Sequence, residues 1–145
     1  MSAKIVVGID GGESGNRAIQ FAIKQGRRMD ACELILVYVI EWSPFTFQTP
    51  EENEQRHKRR EEEISAAQER IVDPAVASLA DSGLPVRGIV KHGDVAETLD
   101  RIATQEGADQ IVVAKKSDVG LASRIFGSST VNLVMHASIP VTVVA

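Results

Sequence analysis

Residues 4–22 read KIVVGIDGGESGNRAIQFA, and a change of pattern inside this stretch decides the fold. Ile5 to Ile9 is a continuous apolar, largely β-branched run, which suits a strand buried on both faces rather than one with a solvent side. The run stops at Asp10-Gly11-Gly12. Apolar residues then return at Ala18, Ile19, Ala22 and Ile23, the spacing of one buried helical stripe. A buried strand, a glycine turn and an amphipathic helix open a parallel βαβ unit.

The same alternation continues to the end of the chain. Strand-like runs occur at Leu34 to Ile40, Val86 to Val90, Ile111 to Ala114 and Val141 to Val144. Helical patterns lie between them, each spaced for one buried stripe: Ile64, Ala67, Ile71, Ala75 and Leu79, then Ala96, Leu99, Ile102 and Ala103, then Val131, Val134 and Met135. The order β-α-β-α-β-α-β-α-β predicts a single α/β domain over residues 1–145. Right-handed crossovers place helices on both faces of an open parallel sheet, the doubly wound arrangement. Ser14 is expected to cap the first helix, Asp94 and Glu97 to form a capping box, and Gly83 and Gly107 to stand where helices stop. Pro74 predicts a kink or break. The mixed-charge run Glu51 to Glu63 predicts a solvated, salt-bridge-laced helix face.

Bulk properties narrow the function classes. The 145 residues carry 16 Lys and Arg against 20 Asp and Glu, a net charge of -4, which disfavours nucleic acid and anionic membranes as partners. No segment has the length of a membrane span, and MSAKIVVGID lacks the apolar stretch and cleavage site of a secretory signal. One cysteine, Cys32, makes no internal disulfide, and His57, His92 and His136 are too dispersed for a metal cluster. These features predict a cytoplasmic protein, with His92 on the surface at a strand end.

In open parallel sheets, ligands bind beyond the carboxyl ends of the strands where the strand order reverses, so the residues after the first and fourth strands are the candidates. Gly11 and Gly12 allow a tight turn and close ligand approach. Asp10 suits a ribose hydroxyl or a metal ion, and equally suits capping of its own turn. After the fourth strand come Ala114, Lys115, Lys116 and Ser117, and further on Gly127, Ser128, Ser129 and Thr130 at a helix start. Free N–H groups, the positive helix end and hydroxyls there suit phosphate, and they also suit ordinary N-capping. Lys115 and Lys116 offer charge to a phosphate or solubility to a loop. Gly93, before Asp94, either admits a ligand to the backbone or serves the turn. Complete Walker A, nucleophile-elbow and metal-cluster patterns are missing, so no catalytic residue is assigned.

Three stretches, KIVVGIDGGESGNRAIQFA (4–22), KHGDVAETLDRIATQEGADQIVVAKK (91–116) and FGSSTVNLVMHASIPVTVV (126–144), closely resemble the universal stress protein family. The resemblance implies an adenine nucleotide alpha hydrolase-like sheet of five parallel strands in the order 3-2-1-4-5, and homodimers joined through the last strand by Val141 and Val143. It also implies ATP or AMP, with Mg²⁺, as ligand. Carried over by position, Asp10 meets the ribose or metal, Val39 the adenine, and Ser128, Ser129 and Thr130 the phosphates. The family's Gly-x-x-Gly, nine residues, Gly-Ser pattern is present here at Gly127 and Ser128. Ala114 and Ser117 stand at the first two glycine positions, where each Cβ is expected to weaken nucleotide binding.

Three functions follow as expectations: a nucleotide-binding stress regulator, a nucleotide-independent adaptor for a protein partner, and, least supported, a slow ATPase. Trp42, Phe45 and Phe47 concentrate the aromatic residues in one loop, which suits a partner contact, a dimer contact or cover for the chain's own core.

Overall fold

A computed structural model describes residues 2–41, 49–115 and 128–145, apart from the side chains of Asn53 and Ser128. The elements in chain order are β1 (Ala3–Ile9), α1 (Glu13–Arg27), β2 (Cys32–Glu41), α2 (Pro50–Ala67), a π-turn (Gln68–Val72), α3 (Asp73–Ser78), β3 (Val86–Gly93), α4 (Val95–Glu106), β4 (Gln110–Ala114), α5 (Ser128–His136) and β5 (Val141–Val144). Five strands pair in the order β3-β2-β1-β4-β5, all parallel. Val7 of β1, for instance, lies between Leu36 of β2 and Val112 of β4.

Strand alternation divides the core into two layers. Ile5, Val7, Ile9, Leu34 and Leu36 pack with Ala18, Ile19, Ala22 and Ile23 of α1 and with Val72 of the π-turn. Val6, Ile35, Val37, Ile111 and Val113 pack with Leu99, Ile102 and Ala103 of α4 and Leu133 of α5. The stripe expected to bury the last helix is corrected, because α5 turns Leu133 to the core and leaves Val131, Val134 and Met135 exposed. The expected doubly wound sheet is therefore present. Only β1, β2 and β4, inside the sheet, are buried on both faces; the edge strand β5 is half-buried throughout.

The second helical pattern is interrupted ahead of Pro74, where a kink or a break is expected, by the π-turn between α2 and α3. Pro74 has no N–H and its ring crowds the carbonyl four residues back, so the α register cannot run through it undisturbed. The chain instead widens into the π-turn, where the Asp73 N–H bonds the Gln68 carbonyl, and Pro74 then sits in the first turn of α3. Val72 is pressed onto β3 at Gly88: a Cβ there would lie 2.0 Å from Val72 Cγ1.

Several boundary expectations are also corrected. Gly12 is the N-cap residue of α1, and Ser14 turns back to donate to Asp10. Asp94 caps α4, accepting from the Glu97 N–H at 3.0 Å, but the Glu97 carboxylate takes Arg101 at 2.8 Å and leaves the box half made. A complete box forms instead at α2, where Thr49 and Glu52 exchange bonds of 3.2 and 3.1 Å. Gly107 ends α4 with φ 68, as expected, whereas Gly83 lies in the turn beyond α3 rather than at its end. The charged face of α2 is solvated and includes a His57–Glu61 pair at 3.3 Å. His92 is no surface residue: its side chain is 8% exposed and meets Glu63 at 3.0 Å.

At the amino ends of the strands, Arg87 binds Glu33 at 2.9 Å and also Glu106, which Lys4 approaches at 3.7 Å. No helix among the described residues is long and apolar enough to cross a membrane.

Candidate functional site

At the opposite end, where the order reverses between β1 and β4, the carboxyl ends of β1, β2 and β4 surround a cavity of about 360 Å³. Its position follows from alternation: Val6, Gly8 and Asp10 share the α4 side of β1, and Val37, Val39 and Glu41 share that side of β2. Gly8 makes the floor. A Cβ at Gly8 would lie 3.0 Å from Val113 Cγ1 and 3.2 Å from Leu99 Cδ1, so the missing side chain supplies the depth. Val39, Val95 and Leu99 give apolar walls, and Asp10, Glu41, Ser129 and Thr130 stand at the polar rim.

Asp10 is fixed before any ligand arrives. Its Oδ1 accepts the Gly12 N–H at 2.9 Å and the Gly15 N–H at 3.1 Å, while Oδ2 accepts the Ser14 hydroxyl. Burial acts to raise its carboxyl, but the Ser14, Gly12 and Gly15 donors outweigh it and hold the group below its ordinary range. With three of four lone pairs used, Oδ2 keeps one for an incoming donor or cation. Asp10 and Glu41 are the charged residues lining the cavity among those described, and both are acidic. Positive potential at the rim comes from the N-terminus of α5, whose first turn carries Ser129 and Thr130. Among the described residues no group of three or more His, Cys, Asp or Glu is arranged to hold a metal ion.

The structure brings together Asp10, Val39, Ala114, Ser129 and Thr130 of the expected site, and Ser128 opens the adjoining helix. Three expected residues stand elsewhere. Gly11, with φ +80, shapes the turn and faces Ile71 rather than the cavity. Gly93, opposite Glu41 at the end of β3, is buried beside the site without lining it. Lys115 is held by its backbone, its N–H on the Val144 carbonyl at 3.0 Å and its carbonyl on Arg17 Nη2 at 2.6 Å. Lys116, Ser117, Arg124, Gly127 and the Trp42 to Phe47 loop lie outside the described residues.

Ala114 continues the row of Val112, and it packs against the α1-side core as well as bordering the cavity. No positive φ occurs at any described non-glycine residue, so Ala114 is unstrained. Gly8 and Glu41 were missed, although counting by twos from Asp10 and from Val39 reaches them.

Comparisons place this geometry among known folds. The universal stress protein family model matches residues 1–145. Curated proteins give no match. The universal stress protein UspA from Lactobacillus plantarum is 21% identical, with a TM-score of 0.80 over 99% of this chain and 97% of that one. A universal stress protein in complex with cAMP is 20% identical, TM-score 0.67, over 99% of this chain and 96% of that one. A universal stress protein family protein from Arabidopsis thaliana with AMP bound is 18% identical, TM-score 0.66, over 98% and 90%. The family match over the full length, together with the observed strand order, shows that this chain belongs to the universal stress protein family.

Proposed function

We propose that this protein is a stress-response regulator that binds an adenine nucleotide, AMP or ATP, at the carboxyl ends of β1 and β4 and does not turn it over. The observation that carries the reading is the two-ended site: a fixed Asp10 acceptor at one rim, the α5 N-terminus with Ser129 and Thr130 at the other, and an apolar slot floored by Gly8 between them. The carboxylate suits ribose hydroxyls, the slot a flat base, and the helix end a phosphate. A cavity of about 360 Å³ is in the range of small-molecule sites. The solved relatives holding AMP and cAMP support the same ligand class.

Mg²⁺ fits here only as part of a metal–nucleotide complex, because the described lining offers two carboxylates and no ligand cluster. Binding without turnover is supported by Asp10 itself. A carboxylate tied to three donors and held below its ordinary range is a poor general base near neutral pH. We place the protein in the cytoplasm, as a homodimer joined at β5. The apolar stripe on α5, Val131 46%, Val134 53% and Met135 71% exposed, supports a protein contact near that edge.

Mass spectrometry of the small molecules released on denaturing the purified protein tests the ligand class, with AMP or ATP expected. Absence of any nucleotide, together with unshifted amide resonances of Gly8, Asp10 and Ser129 in millimolar AMP, would contradict it. Phosphate release from saturating Mg-ATP near 1 s⁻¹, roughly the low end for enzymes, would contradict the non-enzymatic part.

A further inference from the structure

The π-turn touches the ligand site from behind. Ile71 lies against Gly11: a Cβ on Gly11 would meet Ile71 Cγ2 at 3.3 Å and Cδ1 at 3.4 Å. Gly11 is the residue with φ +80 that turns the chain between Asp10 and Gly12, so Ile71 packs on the hinge of the loop that sets the Asp10 carboxylate. The turn is itself fastened, by the Asp73 N–H on the Gln68 carbonyl and by Gln68 Nε2 on Asp73 Oδ1 at 2.6 Å. Val72, its neighbour, is fully buried against Gly88 of β3. In an uninterrupted α-helix, adjacent residues project about 100° apart around the axis. Here the wider turn seats two successive residues at once, one on the sheet and one on the ligand loop. Asp10, Gly11 and Gly12 themselves bring no apolar side chain to hold the turn.

We infer that Ile71 is a positioning residue for the nucleotide site, the π-turn clamping Gly11 so that Asp10 keeps its acceptor geometry. This rests on the proposed nucleotide-binding reading for its consequence, but its structural part stands apart from it. Trimming Ile71 lets the Asp10–Gly12 turn relax. The Gly12 and Gly15 donors then spend less time on Asp10 Oδ1, and two things follow: the carboxyl titrates closer to its ordinary range, and bound nucleotide loses a fixed partner.

The test compares wild type, Ile71→Val and Ile71→Ala, each first shown folded by its amide spectrum. The Asp10 carboxyl is titrated by carbon NMR without ligand, and AMP is titrated by calorimetry. Upward movement of the Asp10 titration is expected, small for valine and larger for alanine. A loss of AMP affinity of about five- to tenfold in alanine, largely rescued in valine, is expected alongside. Identical Asp10 titration in the folded proteins overturns the inference, and if alanine does not fold, the valine variant alone decides. Should wild type bind no AMP, the nucleotide reading fails while the titration still judges the clamp.

Discussion

At the residue scale the site depends on one carboxylate and one absent side chain. Asp10 contributes stability through bonds that only its charged form accepts fully, and its folded-state value is depressed. That contribution is complete above the ordinary carboxylate range, about pH 4, and disappears as the pH falls through the depressed folded-state value. The stability difference between wild type and Asp10→Asn, followed by denaturant melts, is therefore expected to hold steady down to about pH 5 and to shrink as the pH falls below about 4. A difference that is constant or grows on acidification contradicts the bonding described. Asp10 was legible in the sequence because a strand ending in Asp-Gly-Gly opens a helix at the ligand end of the sheet. The role of Gly8 was not, since a glycine within an apolar run gives no sign of which neighbours close around it. Ala114 was found through the family pattern, and the structure places it at the end of β4, against the α1-side core and at the border of the cavity.

At the element scale, apolar β-branched runs located the strands: those of the inner β1, β2 and β4 are buried on both faces, whereas those of β3 and β5 carry Arg87 and Thr142. The division of α2 from α3 was harder to read. Pro74 announced a disturbance, but whether the chain kinks, breaks or widens depends on what lies beneath, and that is Gly88 of a strand more than ten residues on. The fit of Val72 over Gly88 gives a sharp expectation. Gly88→Ala places a methyl 2.0 Å from Val72 Cγ1, so β3 and the π-turn must separate, at a cost of about 1–3 kcal/mol. Chemical denaturation measures it, and adding Val72→Ala in the same chain should recover part of the overpacking loss. A Gly88→Ala protein as stable as wild type would show that the turn is not seated as described. The capping box of Thr49 and Glu52 escaped notice because the helix it opens was read from its charge, and no apolar stripe before Ile64 marks where that helix starts.

At the scale of the whole molecule, the two ends of the sheet divide the work. The amino ends carry the Arg87, Glu33, Glu106 and Lys4 network, and the carboxyl ends carry the cavity. Among the described residues one lateral edge, β5, pairs only with β4, and the adjacent α5 leaves Val131, Val134 and Met135 exposed. An unprotected edge beside an apolar stripe invites pairing with a second copy. Sedimentation at about 50 μM, where weak interfaces form, is expected to show a dimer that Val143→Lys shifts towards monomer. A wild-type monomer at that concentration would contradict the proposal. The proposed nucleotide recognition by the β1–β4 cavity is tested by calorimetric titration of AMP into wild type, Asp10→Ala and Gly8→Ala. Wild type is expected to bind with Kd between about 1 and 100 μM, Asp10→Ala at least about tenfold more weakly through loss of a charged hydrogen bond, and Gly8→Ala more weakly because its methyl fills the floor. Wild type without heat in millimolar AMP, or all three proteins binding equally well, would contradict the account.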